Sequence, residues 1–186
     1  MMRKVNWAAV EEAGNYPRPV PGGYVARITD VQDVEEKEHL RINWDFCEGD
    51  LNGNNRDVAQ KFGFWPLAFI RSYKESALGF FKAFKNRMEK SNPGYTFDEF
   101  RLADMRGKYI GVVLGEEEYI SNKGEVKTRL VVVTTKTVQD IRDGNFTVPA
   151  KKLLAEKKPV YAAPAENSFA SLPDDGPMPW DEKLPF

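Results

Sequence analysis

Arg27, Arg41, Asn43, Lys61, Lys127 and Arg129 each stand one step out of phase with a run of apolar residues. Successive side chains of an extended chain point to opposite faces. An apolar run turned inward therefore sends these polar groups outward. Guanidinium and ammonium groups on a solvent face neutralise phosphates. An aromatic ring exposed among them stacks on an unpaired base, contributing about 1–3 kcal/mol whatever the base. Trp65, held in a turn by Pro66, and Tyr119, at the base of a hairpin, are the rings placed for this, and Lys123 adds a cation at the hairpin tip. Trp65 is open to two readings, since the turn at Pro66 either exposes or buries it. Together these residue types point to sequence-tolerant binding of an unpaired polynucleotide strand.

Catalytic chemistry finds few candidates. His39 is the only histidine and sits among Glu36, Lys37, Glu38 and Arg41, where a turn is expected. Cys47 is the only cysteine, which excludes an intramolecular disulfide and a cysteine-based zinc site. Glu116, Glu117 and Glu118 are consecutive. On a strand they alternate between faces and make a poor metal cage. No catalytic residue, metal or cofactor is expected, and the chain reads as a binding protein, not an enzyme.

The elements that must carry the binding residues follow from periodicity. Strands are expected at Tyr24–Val34, at Leu40–Cys47, where Leu40, Ile42, Trp44 and Phe46 share one face, and at Arg56–Phe64, where Val58, Gln60, Phe62 and Phe64 do. Leu67 to Ser91 then changes to helical spacing, strongest at Leu78, Phe81, Phe84 and Met88. Phe97, Phe100, Leu102 and Met105 are expected to plug the core. Further strands are expected at Lys108–Gly115, continuing through Ile120 to the turn Ser121–Gly124, and at Val126–Thr137, with a short helix at Val138–Gly144. Asn6 is placed to cap a short helical turn in the N-terminal arm. Three strands, a helix and two strands is the order of the OB-fold, a five-stranded, partly open barrel that binds oligonucleotides across its second and third strands and between two of its loops.

The chain has 186 residues and a formal net charge of −1. That balance is uneven. Tyr161 to Phe186 holds five acidic residues against Lys183, a net of −4, which leaves +3 on the remainder. A basic body joined to an acidic end suits a polyanion binder. We expect an N-terminal arm over 1–20, a binding domain over 21–152 and a flexible acidic tail over 153–186, with too little apolar residue in the tail to form a core. No apolar run is long enough to span a bilayer, and the N-terminus lacks a signal-peptide pattern, so a cytoplasmic protein is expected.

Several segments carry a resemblance. They are Pro21-Gly22-Gly23-Tyr24 followed by Ala26 and Ile28, the strand Leu40-Arg41-Ile42-Asn43-Trp44, the run Gly107 to Val113, and the hairpin entering Val131-Val132-Val133. The chain ends in Trp180, Asp181, Glu182, Lys183, Leu184, Pro185 and Phe186. From Tyr16 to Lys152, and again at this tip, it resembles bacteriophage-type single-stranded-DNA-binding proteins with an OB-fold and an acidic Pro-Phe end. The resemblance implies coating of DNA strands exposed in replication, recombination and repair, with Trp180, Asp181, Glu182, Leu184, Pro185 and Phe186 docking partner proteins, in a host cytoplasm if phage-encoded. It leaves a homo-oligomer possible. Lys183 interrupts the acidic run usual in that family, and the helical region Leu67–Met88 is longer than in a minimal bacterial member. Two other functions compete: an adaptor that uses the same fold to hold mainly proteins, and a metal-dependent nuclease or nucleotide hydrolase built on Glu116, Glu117 and Glu118.

Overall fold

The computed structural model describes Lys4, Asn6 and residues 17–154. The helical turn expected at Trp7–Glu11 and the acidic tip Trp180–Phe186 lie outside the described residues. The elements run β1 (Gly22–Val34), β2 (His39–Phe46), α1 (Asn54–Phe62), β3 (Ala68–Ser72), α2 (Leu78–Ser91), β4 (Tyr109–Ile120), β5 (Val126–Lys136) and α3 (Val138–Arg142). Among the described residues the five strands form one antiparallel sheet in the order β3-β2-β1-β4-β5. The protein is mainly β, with a helix between its third and fourth strands, as the periodicity implies. Among the described residues no helix is long and apolar enough to cross a membrane.

The alternation in β2 works as its composition dictates. Leu40, Ile42, Trp44 and Phe46 are buried, while Arg41 is exposed. β1 needs an irregularity to keep pace. Ile28 pairs with Trp44, yet Asp30 pairs with Asn43 and Val31 with Ile42, so Thr29 is the extra residue of a bulge. The bulge lets Ile28 and Val31 both face the core in spite of their odd spacing. α2 closes one side of that core with Phe84 and Met88, and Phe97 and Met105 fill beside them. The rings meet edge to face: Trp44 and Phe46 at 4.8 Å, Tyr24 and Phe46 at 5.1 Å.

Four expectations need correction. The third strand is not Arg56–Phe64; Asn54–Phe62 is a helix. Gly53 (φ 80°) and Gly63 (φ 75°) take the left-handed conformation at its two ends, and the Gly63 N–H closes on the Ala59 carbonyl. That is the usual way a glycine stops a helix. Asp57 in the first turn and Lys61 in the last also suit the helix dipole. The true third strand, β3, lies inside the span read as helix, and α2 begins only at Leu78. Phe100 plugs nothing: it is 90% exposed. His39, expected in a turn, is the first residue of β2 and is buried.

The chain after β5 folds back over the outer face of the sheet. Thr137 caps α3 reciprocally: its hydroxyl accepts the Asp140 N–H at 3.0 Å, and the Asp140 carboxylate accepts the Thr137 N–H at 3.2 Å. The Thr137 hydroxyl also donates to the Asp140 carboxylate at 2.7 Å, and this bond, then that from the Thr137 N–H, holds the Asp140 carboxyl below its ordinary value. A Cβ on Gly111 would lie 2.5 Å from Ile141 and 2.7 Å from the Thr137 carbonyl. One on Gly23 would lie 2.5 Å from the Phe146 ring. Glycine is therefore required where this strap crosses β1 and β4. The strap ends by pairing with β4: Lys152 N–H bonds the Glu116 carbonyl, and Glu118 N–H bonds the Lys152 carbonyl, both at 2.9 Å.

Candidate nucleic-acid interface

Strand register decides which predicted residues share a face. Directly paired residues of an antiparallel sheet point the same way. Arg27 on β1 pairs with Asp45 on β2 and with Tyr109 on β4. Asn43 pairs with Asp30 and with Ala68 of β3; Arg41 pairs with Gln32 and Ile70. These rows form one outward surface, with Arg27, Arg41 and Asn43 as its donors. Arg41 and Asp45 are four residues apart on β2, so the Arg41 and Arg27 rows are about 13 Å apart. Both arginines are exposed, and among the described residues neither takes part in an ion pair.

Tyr109 is the residue that reading the sequence missed. It is 43% exposed and lies directly across from Arg27. The signal was present: Tyr109 is out of phase with Ile110 and Val112, both fully buried. Asn92 fixes its backbone by accepting the Tyr109 N–H and donating to the Tyr109 carbonyl, both at 2.8 Å. The ring thus stands on a rigid strand, at low conformational cost to any base stacked on it.

Trp65 is half-buried and follows α1, at the margin of the surface. Its indole N–H donates to the Trp44 carbonyl at 3.0 Å, and Asn55 donates to the same oxygen at 2.9 Å. That carbonyl lies one residue beyond the last β2–β3 pair, Asn43–Ala68. Trp65 and Asn55 thus satisfy a backbone acceptor at the point where the ladder stops. Lys61, expected on the outward face of the third strand, is carried by α1 instead and lies 5.7 Å from the Phe62 ring.

The β4–β5 hairpin carries the other predicted residues. Glu117 pairs with Arg129, and Tyr119 with Lys127. The Arg129 guanidinium contacts Glu117 at 2.6 Å and stacks 5.1 Å from the Tyr119 ring centroid. Lys127 lies 3.9 Å from Glu125. Lys123 is exposed in the turn, which Gly124 (φ 78°) closes with an N–H bond to the Ser121 carbonyl. By register the hairpin trio shares the outward parity of Tyr109, yet α3, Phe146 and Pro149 cover the glycines between them. The structure therefore divides the predicted residues into two groups, Arg27, Arg41 and Asn43 in one and Tyr119, Lys123, Lys127 and Arg129 in the other, with the strap between. Part of the charge in the second group is spent on Glu117 and Glu125.

Asp45 is the acid within the first group, and only 1% of it is exposed. Burial pushes its carboxyl up, opposed by the N–H groups of Asn55 and Arg56 and by the Arg56 charge. A carboxyl raised in this way favours the folded state most when protonated, so wild-type stability declines as pH climbs through the raised value. Asp45→Asn stays neutral and escapes that loss. In urea unfolding between pH 3 and pH 7, the variant is expected to gain on the wild type as pH rises above 3.8. A difference independent of pH would show that Asp45 does not titrate in a desolvated site.

Cys47 donates its thiol to the Val25 carbonyl at 3.2 Å, and burial pushes it up to about 11, so it remains a thiol at neutral pH. Among the described residues no three His, Cys, Asp or Glu side chains converge as metal ligands. No protein-family model matches the chain, and no curated protein matches it in sequence.

Proposed function

We propose that the protein binds single-stranded DNA without strong sequence preference, protecting it in replication or recombination, and recruits partner proteins through its acidic Pro-Phe tip. In this reading the sheet rolls into the OB-fold barrel and performs no chemistry. One observation carries it: Arg27, Asn43 and Arg41 occupy successive rows of a single surface, with Tyr109 beside Arg27 and, among the described residues, both guanidiniums outside ion pairs. Cations that track a backbone and a ring that stacks on any base are what a sequence-tolerant strand binder needs. Lys123, Lys127, Arg129 and Tyr119 form a second contact patch on the hairpin, beyond the strap, and Trp65 borders the first.

The test is titration with oligo-dT, followed by tryptophan fluorescence across a salt series. Affinity is expected to fall as salt rises, with a slope of log K on log salt of about −0.7 for each phosphate contacted, and duplex DNA is expected to bind far more weakly. Affinity that does not respond to salt would overturn the reading.

A second reading, an adaptor that holds mainly proteins, is favoured by the ion pairs of Arg129 and Lys127 with acids of their own hairpin. Removing Lys183–Phe186 separates the two. A strand binder keeps its oligo-dT affinity, whereas an adaptor loses its principal activity.

A further inference from the structure

Arg71 stands in the wrong company. It pairs with Leu40, and two residues earlier Phe69 pairs with Ile42, so its position belongs to the inward row of β3. Its guanidinium lies 4.7 Å from the Phe69 ring centroid and 5.6 Å from that of Phe84. One nitrogen donates to the Ile70 carbonyl at 3.0 Å, and another reaches across to β5, donating to the Thr135 hydroxyl at 3.4 Å. Arg87, from α2, donates to that same hydroxyl at 3.3 Å. Thr135 is fully buried.

Two guanidiniums therefore converge on one oxygen at the seam between the sheet's edge strands, β3 and β5. Among the described residues neither joins an ion pair. The nearby Asp140 carboxylate attracts Arg87, but its hydrogen bonds come from Thr137 and no ion pair forms between them. Burial, and then the Arg87 charge, bring Arg71 down to about 10, so it remains a cation at neutral pH. A part-buried cation facing a second cation is costly unless an anion answers it. Five N–H donors fan out from each guanidinium, and the few hydrogen bonds above leave most of them available.

We propose that Arg71, Arg87 and Thr135 form a binding site for a phosphate group at the β3–β5 seam. Paired guanidiniums offer the fork that a tetrahedral oxyanion accepts. The buried Thr135 hydroxyl, which accepts from both arginines, holds the two guanidiniums side by side. The phosphate is either a diester of a bound strand or a free phosphate. The site lies on the inward row of β3, apart from the Arg27–Arg41 surface, and does not depend on the strand-binding reading.

Two measurements on the full chain test it, with Arg87→Gln as the variant, because Arg87 is half-exposed on a helix and glutamine is a good helix former. The first is melting in sodium phosphate against sodium chloride of equal ionic strength. The wild type is expected to gain about 3 °C more than the variant. The second is the salt slope of oligo-dT binding, expected to shrink by about 0.7 in the variant if a strand phosphate occupies the seam. Arg87→Lys, which keeps the charge without the fork, is expected to recover part of either effect and guards against a folding defect. A positive first arm alone assigns a free phosphate; a positive second arm assigns the strand. Equal phosphate stabilisation together with an unchanged slope would overturn the proposal. If the wild type ignores oligo-dT but keeps its Arg87-dependent phosphate stabilisation, strand binding falls while the seam site stands.

Discussion

Arg27→Ala combined with Tyr109→Ala is expected to weaken oligo-dT binding by about 5- to 150-fold while leaving the fold unchanged. The range follows from the 1–3 kcal/mol that stacking one base on an aromatic side chain contributes. Loss of the arginine adds to it and should lower the salt slope by about 0.7. Both side chains are exposed, so stability should change by no more than about 0.5 kcal/mol. Tyr109→Phe separates the roles: it preserves the stacking face and loses only the hydroxyl, so its affinity should stay near that of wild type. Fluorescence titration at fixed low salt provides the check. A double variant that binds oligo-dT like the parent would remove this surface from consideration.

The largest expected effect on stability comes from Trp44→Ala. Trp44 is fully buried in the middle of β2 and packs edge to face on Phe46. Truncating a buried aromatic to alanine costs about 3–5 kcal/mol, a large share of the 5–15 kcal/mol typical of a whole domain. The urea midpoint should fall accordingly. Trp44→Phe should cost much less, because among the described residues the buried Trp44 indole N–H has no hydrogen-bond partner and phenylalanine removes that unsatisfied donor. The effect should also reach the surface, since the Trp44 carbonyl anchors the Trp65 indole. A backbone shift at Trp44 is expected to move the remaining Trp65 emission even where the variant stays folded.

The strands with clear alternation and adequate length could be read from residues alone. β2 alternates without interruption, and β4 and β5 are joined by a turn whose Gly124 has the required positive φ. β3 could not be found this way. It has only five residues, and its inward row contains an arginine, so its pattern carries no apolar alternation. Its pairing with β2 is what makes it a strand. Asn54–Phe62 misled in the opposite sense, because Val58, Gln60, Phe62 and Phe64 mimic a two-residue period. The glycines on either side were the better signal there. For the candidate interface, Arg27, Arg41 and Asn43 followed from phase alone. The division of the surface did not, because it depends on a strap formed by residues distant in the chain. Arg71 was hidden for the same reason as β3.

The pairing of Lys152 with β4 limits where this chain can be shortened. Cutting it just after α3 would free the Glu118 N–H and the Glu116 carbonyl and would strip the ring of Phe146 from Gly23. The bare margin left behind would be a ready template for a strand of a neighbouring molecule. A version ended there should self-associate, and one that retains Lys152 should not.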